Sequence, residues 1–331
     1  MNPLNFQSVL KFVTSFASVK EGPNVTFLDG KVIVFGGETL AYAEANHPFG
    51  KVPVSVPREK LVAVVNSLPS LPEEEVDLKV EDDVMKIECG SVLAEIPTTN
   101  QALVALPSFK KGKSLTGVSL GDALGDVLPA VSQTMLDPKL TCVHFEGGRV
   151  EACDGFRMSR YELEEAVFPN SGGILVPGHL LKAISKRVFT AYAVASPWLL
   201  LEESEGRIAG VRTYSEKYDD LEKFFDVSGN SVEFPAGLEK ELPKPAKVFC
   251  KDHPDIRVRV ADNSLSLYLG GSLGWMQKKF DMEYGGDPIQ FSIRSEHLLS
   301  ALTLGNNLEI GGGRVKISGE RFSHVVCISQ S

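Results

Sequence analysis

The sequence repeats one arrangement of predicted elements three times. The clearest copy lies at residues 145–163, where two strand-like stretches flank Gly147-Gly148. That pair predicts a tight hairpin turn, because glycine adopts positive φ without steric cost. Residues 174–184 follow as a short predicted strand that runs into an amphipathic helix. The same order of strands and helix occurs once before and once after this stretch, so the chain consists of three related units.

Landmarks in the three units recur at a nearly constant spacing. Val56, Val176 and Ile293 stand at the start of the second helical segment of each unit and are separated by 120 and 117 residues. A period of roughly 115 residues is far longer than a solenoid repeat, so each unit is predicted to be a domain with its own core. The predicted domains are 1–112, 113–229 and 230–331.

Each unit is predicted to contain two helices packed on antiparallel sheets, which makes the fold class α+β. Apolar residues recur at helical spacing in several segments, whereas short alternating runs bounded by Gly, Asp or Asn predict strands. The helical segments are 5–19, 58–66, 120–131, the second part of 176–187, and 295–302. Linkers between the units are predicted at 107–114 and 226–232.

Composition is that of an ordinary globular protein. The 331 residues are 43% hydrophobic and 23% charged, and no apolar run approaches the roughly 18–20 residues needed to span a bilayer. The N-terminus shows no signal-peptide pattern, and the five scattered cysteines include no CxxC pair, which is typical of reduced thiols. We therefore expect a cytoplasmic protein without membrane association.

The net charge of −9 argues against non-specific binding of nucleic acid unless the basic residues are segregated onto one surface. Acidic runs lie in predicted strands and loops, whereas many lysines lie on predicted helices. Lysines at 240, 244, 247 and 251 have the spacing of one helical stripe, although Pro243 and Pro245 interrupt it. A solvated helix face also carries lysines, so both interpretations stay open. The basic residues on or beside these predicted helices include Lys11, Arg58, Lys60, Lys182, Lys186, Arg187, Lys240, Lys244, Lys247 and Lys251.

Catalytic signatures are missing from the sequence. It contains no GxxxxGK[ST], HExxH or GxSxG motif and no cluster with metal-ligand spacing, so neither a metal nor a cofactor is predicted. Asp154 beside Arg157 could act as a catalytic acid, but a turn aspartate paired with a nearby arginine is the simpler interpretation. The sequence therefore favours a protein that is not an enzyme.

Several segments resemble the bacterial DNA polymerase III β subunit, the sliding clamp. Residues 149–158 are similar to the second-domain segment of that family, and residues 174–181 are similar to the strand and helix that follow it. Residues 217–225 resemble the segment that closes the second domain, and 325–331 resemble the apolar C-terminal tail. The similarity in architecture covers the whole chain. The sequence is distant from the family pattern, as expected for a divergent member such as one encoded by a phage.

The resemblance implies a processivity factor that forms a head-to-tail homodimeric ring of six similar domains. Helices would line a central hole that holds duplex DNA without sequence-specific contacts, so the resemblance implies that the ten basic residues named above face DNA. The ring would tether the replicative DNA polymerase after loading by a clamp loader. Strands near residues 102–106 and in the third unit would form the dimer seam by sheet extension. Two other classes stay open: a hydrolase built from a repeated α+β domain, and a scaffold that binds only proteins.

The family also has a pocket for partner peptides between its second and third domains. By correspondence, that pocket would contain Leu136, Cys153, Gly155, Phe156, Arg157, Met158, Phe224, Val325, Cys327 and Ile328. This sequence departs from the family pattern at Phe156, Asp219, Ser329 and Gln330, so partner preference is expected to differ. Without the resemblance, plain core packing accounts equally well for Phe156 and Met158.

Overall fold

A computed structural model describes residues 2–16, 24–69, 71, 73–99, 105–110, 112–134, 136–203, 206–271 and 274–329. The chain divides into two compact units, unit 1 (Met1–Gly121 and His179–Ser215) and unit 2 (Asp122–Gly178 and Glu216–Ser331). Both units draw on the predicted second domain, and the boundaries near 112 and 229 stay predictions. Within the described ranges, no helix is both long and apolar enough to cross a bilayer.

The helices follow local sequence signals. Asn2 caps α1, because its Oδ1 accepts the Leu4 N–H at 2.9 Å, and Pro3 occupies the first turn. In chain order the helices are α1 (Pro3–Ser15), α2 (Arg58–Asn66), α3 (Leu120–Val127), α4 (Gly178–Ile184), α5 (Glu222–Phe225), α6 (Leu238–Glu241), α7 (Pro243–Phe249) and α8 (Ser295–Leu302). The predicted bounds of α2 and α8 are confirmed. The first helix ends at Ser15 instead of residue 19, and residues 17–19 lie outside the described part of the chain.

Most strands lie where alternation and turn residues predict them. In chain order they are β1 (Asn24–Leu28), β2 (Lys31–Phe35), β3 (Thr39–Glu44), β4 (Val54–Pro57), β5 (Asp77–Glu81), β6 (Val84–Cys89), β7 (Val92–Pro97), β8 (Lys113–Ser114), β9 (Cys142–Glu146), β10 (Arg149–Cys153), β11 (Arg157–Glu162), β12 (Ile174–Pro177), β13 (Ala191–Ala195), β14 (Trp198–Glu202), β15 (Ile208–Arg212), β16 (Asn230–Glu233), β17 (Asp255–Ala261), β18 (Ser264–Gly271), β19 (Gly274–Asp281), β20 (Ile289–Arg294), β21 (Asn307–Gly311), β22 (Arg314–Ser318) and β23 (Phe322–Cys327). The hairpin between β9 and β10 turns at Gly147, whose φ is +57°, as predicted.

Unit 1 contains two antiparallel sheets. Sheet I has the order β4-β1-β2-β3-β15-β14-β13-β8, and sheet II has the order β5-β6-β7. Helix α1 packs against β2 and β3, and its buried Phe6 lies 6.2 Å from Phe27 of β1, measured between ring centroids. The helix-free face of sheet I holds a second apolar cluster around Leu40 and Trp198, against which Leu106 and Phe109 pack.

Unit 2 repeats this plan. Sheet III has the order β12-β9-β10-β11-β23-β22-β21-β16, and sheet IV has the order β19-β18-β17-β20. Buried side chains of α6, α7 and α8 pack on one face of sheet IV and on β21, β22 and β23 of sheet III. The eight-stranded sheets I and III are therefore built alike. Each joins a third strand to a distant hairpin, at β3·β15 in sheet I and at β11·β23 in sheet III.

Three predictions need correction or relocation. The lysine stripe at 240–251 is divided, because Pro243 begins α7 and Lys251 follows its end. Parts of the predicted linkers are strands: β8 pairs with β13, and β16 pairs with β21. Of the predicted seam at 102–106, residues 102–104 lie outside the described residues, and residues 105–106 carry no strand. The last strand of sheet II is instead β7.

Candidate functional site

Most of the predicted pocket residues meet where β11 pairs with β23. Met158 lies opposite Val325, and the Cys327 N–H donates to the Phe156 carbonyl oxygen at 2.8 Å. Met158, Val325 and Cys153 are 5%, 0% and 8% exposed, and they pack in one apolar cluster. The junction of two sequence-distant strands thus gathers these side chains on the face of sheet III that is turned away from α8.

A tight turn between β10 and β11 positions the next pocket residues. Asp154 Oδ1 accepts the N–H groups of Phe156 and Arg157, each at 2.9 Å, and Asp154 Oδ2 accepts Arg157 Nε at 2.9 Å. Gly155 has a φ of +89°, which only glycine adopts without strain. The interpretation of Asp154 as a turn aspartate paired with arginine is confirmed.

Phe156 projects from this turn to the rim of the pocket. Its side chain is 54% exposed, and the Arg294 guanidinium carbon lies 5.0 Å from its ring centroid. The His297 ring lies 6.4 Å from Phe156, between centroids. Of the two residues with a core-packing alternative, Met158 is therefore in the core and Phe156 is not.

The opposite rim is α5, which the C-terminal hairpin holds in place. Arg314 Nη1 donates to the carbonyl oxygens of Phe224 at 2.8 Å and Lys223 at 3.2 Å. Phe224 is 38% exposed, so a contacting partner could bury it. Ile328 is half-buried, and its N–H donates to the Gly313 carbonyl at 2.9 Å.

Two predicted features lie apart from the cluster. Leu136 is 95% exposed in the segment before the turn at 138–141, so it packs against almost nothing. Ser329 continues the tail by exchanging backbone hydrogen bonds with Ser292 at 2.8 and 3.0 Å. Gln330, the other departure at the tail, lies outside the described residues.

Sequence reasoning missed that the chain fills much of the groove itself. Tyr218, Leu221 and Phe225, each less than 9% exposed, pack on Cys153, Met158 and Val325. The covering segment, defined as residues 216–227, also pairs Asp219 with Lys139 at 2.7 Å. The signal for this cover was the apolar spacing of three and four residues at 218, 221 and 225. The exposed apolar surface that remains is at the rims.

A buried ion pair lies under the covering segment. Glu151 and Arg160 are 5% and 8% exposed, with Oε1 and Nε 2.5 Å apart. Arg160 also contacts Glu222 at 2.9 Å, and its guanidinium carbon lies 4.2 Å from the Phe225 ring centroid. The low dielectric beneath the cover requires such pairing, because an isolated buried charge is very costly.

The helix-covered face of the same junction holds buried histidines. His324 is 1% exposed, and its Nδ1 lies 2.6 Å from Ser159 Oγ. Burial, together with the nearby Arg157, lowers the pKa of His324 to about 4. Burial and Arg157 also lower the pKa of His297. Both imidazoles are therefore neutral near pH 7.

The ten predicted DNA-facing residues lie on or beside helices but are not equivalent. Lys11, Lys60, Lys182, Lys186, Lys240, Lys244, Lys247 and Lys251 are exposed. Arg187 is held within unit 1, because it pairs with Glu203 at 2.6 Å and donates to Ser15 Oγ at 2.7 Å. Arg58 is half-buried and has an interaction of its own. Their role toward DNA stays a prediction.

Within the ranges that the structure describes, no group of three or more His, Cys, Asp or Glu side chains is placed to hold a metal ion. The Ser159–His324 pair is also unsuited to nucleophilic catalysis, since Ser159 is only 2% exposed.

Comparison with known proteins identifies the architecture. No protein-family model matches the sequence. Among solved structures, the chain is similar to a protein from Eubacterium rectale assigned as a DNA polymerase III beta subunit, with a TM-score of 0.82 and 14% identity over 99% of this chain and 98% of that one. It is also similar to the DNA polymerase III subunit beta of Pseudomonas aeruginosa, with a TM-score of 0.81 and 14% identity over 100% and 99% of the two chains.

A third similar structure is the Helicobacter pylori beta clamp bound to a DNA ligase peptide, with a TM-score of 0.73 and 14% identity over 99% of this chain and 98% of that one. The similarity in all three cases runs nearly end to end. The chain therefore has the fold of bacterial sliding clamps, as its sequence resemblance predicts.

Proposed function

We propose that this protein is a DNA sliding clamp that encircles duplex DNA as a homodimeric ring and tethers a replicative DNA polymerase to its template. The observation that carries the proposal is the sheet plan, together with the fold that the chain shares with sliding clamps over nearly its full length. Loading would require a clamp loader, and attachment would be topological, with contacts to phosphates and no base readout.

The sheet plan supports a head-to-tail dimer. Sheets I and III are complete, because each joins a third strand to a distant hairpin. Sheet IV ends at the corresponding third strand, β19, and sheet II ends at the corresponding hairpin strand, β7. Pairing β19 of one copy with β7 of another would reproduce the junction found twice within the chain. Exposed Trp275 on β19 and Leu93 on β7, at 62% and 71%, would then gain neighbours.

Charge distribution is compatible with DNA inside such a ring. The exposed lysines at 11, 60, 182, 186, 244 and 247 belong to helices or their immediate flanks, while the protein as a whole carries −9. Only the helix surfaces need to be positive for duplex DNA to be retained, so the net negative charge of the protein does not exclude this function.

The groove at β11·β23 is proposed to receive partner peptides. Buried Met158, Val325 and Cys153 form its floor, whereas Phe156 and Phe224 offer exposed aromatic rims. An extended peptide with a bulky apolar anchor fits such a site. Because the covering segment fills part of the floor, we expect this clamp to accept a shorter apolar anchor than a fully open groove would.

The two other classes receive less support. A hydrolase needs accessible, convergent polar groups, whereas the Ser159–His324 pair is buried and the neutral His324 has a pKa of about 4. A scaffold that binds only proteins gives no reason for lysines to concentrate on the helices.

Retention on primed circular DNA tests the proposal directly. After incubation with a cognate loader, gel filtration should show protein on the circle, and linearisation should release it. Equal retention on both forms, falling steeply with salt, would indicate an ordinary electrostatic binder and overturn the clamp.

Oligomeric state supplies an independent check on the seam. Sedimentation at micromolar concentration should give a dimer, and Leu93→Glu should shift it toward monomer, whereas the exposed Leu136→Glu should not. A strictly monomeric wild-type profile would contradict the ring.

A further inference from the structure

The helix-free face of sheet IV carries a cationic surface that the clamp proposal does not use. Arg257 and Arg259 alternate along β17, and Lys279 lies on β19 across Ser266 from Arg259. All three side chains are exposed. Ile256 and Val258, which alternate with the arginines along β17, are fully buried on the helix-covered face. A shallow cavity of about 230 Å³ lies among the three cations, with Asp262 as the one carboxylate in its lining.

These cations lack internal partners of opposite charge. Lys278, on the other face of β19, pairs with Glu241 of α6. By contrast, Arg257, Arg259 and Lys279 form no ion pair with any residue that the structure describes. Three unpaired cations grouped on a protein of net charge −9 concentrate positive potential at one place on its surface.

Aromatic side chains adjoin the cations. Tyr268 and Trp275 are stacked, with ring centroids 5.1 Å apart and planes inclined by 14°. The Arg257 guanidinium carbon lies 5.7 Å from the Tyr268 centroid, and Trp275 is 62% exposed. The amides of Gln277 and Gln290 flank the arginines, opposite Tyr268 and Arg259 respectively. Unlike an aromatic core, this stack leaves one π-face available to a ligand.

We infer that this face, termed the β17–β19 platform and defined by Arg257, Arg259, Tyr268, Trp275, Gln277 and Lys279, binds single-stranded nucleic acid. The cations would contact successive phosphates, since alternate residues on one strand are about 6.5 Å apart. The exposed Trp275 ring would stack on an unpaired base. The site would be sequence-tolerant, because every base offers a π-face.

Two other anionic ligands fit less of the surface. An acidic peptide would satisfy the cations but leave the Tyr268–Trp275 stack without a role. A DNA duplex presents phosphates outward and keeps its bases paired, so Trp275 would again make no contact. Every residue of the platform belongs to unit 2. Trp275, Gln277 and Lys279 lie on β19, the strand proposed to pair with β7 of a second copy, so the inference requires that this pairing leave the outward ring face of Trp275 open.

Binding of a fluorescein-labelled oligothymidine of about 20 nucleotides to the full-length protein tests the platform. Fluorescence anisotropy should report binding that weakens with salt, with a log–log slope of about −2 for three cationic contacts. Intrinsic fluorescence should be quenched on binding, because Trp275 is exposed; Trp198, at 8% exposure, contributes little change. In Trp275→Phe the quenching should disappear.

Matched variants separate the platform from a general effect of lost positive charge. Arg257→Gln/Arg259→Gln should weaken oligothymidine binding at least about tenfold and reduce the slope to about −0.7. Lys51→Gln/Lys113→Gln removes the same charge from two exposed positions outside both the platform and the DNA-facing set, and it should leave oligothymidine binding unchanged. Sedimentation and denaturation midpoints of each variant should match the wild type, so that loss of binding is not loss of structure.

Three outcomes would overturn the inference: equal affinity of Arg257→Gln/Arg259→Gln and wild type, absence of Trp275 quenching, or equal competition by a glutamate-rich peptide of matched charge. The last would reassign the face to an acidic protein segment. Because retention on circular DNA is measured separately, the platform and the sliding clamp can fail independently.

Discussion

Sheets III and IV of unit 2 each have a face turned away from α8, yet the charges on these two faces behave in opposite ways. On sheet III, the covering segment buries Glu151 and Arg160, and the two side chains pair at 2.5 Å. On sheet IV, no described segment crosses the face, and Arg257 and Arg259 are exposed and form no ion pair with another described residue. Charged side chains that alternate along a strand therefore become buried ion pairs where a segment covers the sheet face, and they form an open cationic surface where none does.

Replacing one arginine by glutamine on each face should give the largest difference in stability between the covered and the open face. Arg160→Gln leaves the Glu151 carboxylate buried without its cation, so we expect the free energy of unfolding to fall by about 3–4 kcal/mol. Urea denaturation measures this loss. Arg259→Gln is the matched control, and a surface change of that kind should stay within about 0.5 kcal/mol. Equal losses would show that the covering segment does not determine the cost.

The helix-covered face of sheet III adds a pH-dependent contrast. Burial and Arg157 hold the pKa of His324 at about 4, below its ordinary value near 6.5, so the unfolded chain takes up the proton first. The neutral His324 imidazole therefore contributes to the free energy of unfolding above pH 6.5. As the pH falls toward 4 this contribution is lost, which lowers the free energy of unfolding by up to about 3 kcal/mol. Urea denaturation across this range checks it. His324→Gln should flatten the profile.

Core and rim of the groove should respond differently to truncation. Met158→Ala removes a side chain that is 5% exposed and should lower the free energy of unfolding by about 2–3 kcal/mol. A loss below about 1 kcal/mol would mean that the floor of the groove is loosely packed.

Phe156→Ala should have the smallest effect on stability and a clear effect on binding. Because its ring is 54% exposed, we expect a stability change within about 0.5 kcal/mol. Affinity for a clamp-binding peptide, measured by fluorescence anisotropy, should fall about tenfold if the ring is an interface anchor. Unchanged affinity would remove Phe156 from the proposed site.

Local sequence signals predicted the elements well. Helices α2 and α8 begin and end where the pattern indicates. Two hairpins turn at Gly147 and at Asp262-Asn263, and all three of these turn residues have positive φ. Turn chemistry and apolar periodicity operate within a few residues of chain, so a single sequence contains them in full.

The parts that were missed depend on distant contacts. The junctions β3·β15 and β11·β23 bring together strands separated by more than 160 residues, and no local pattern indicates which edges join. The covering segment was identified only as a resemblance, because nothing in Tyr218 or Phe225 specifies the sheet face that they bury. Phe156 and Met158 are two residues apart and equally apolar, yet Phe156 is 54% exposed just before β11 and Met158 is 5% exposed within it.

The thiol of Cys327 offers a chemical handle at this junction. Cys89, Cys142, Cys153 and Cys250 are buried, whereas Cys327 is exposed beside the Phe156 backbone. Partial burial still raises the pKa of Cys327, so alkylation should be slow near neutral pH and faster in mildly alkaline buffer. A maleimide dye would then attach at one position without mutagenesis, and its emission would report directly on whether the adjacent groove is occupied.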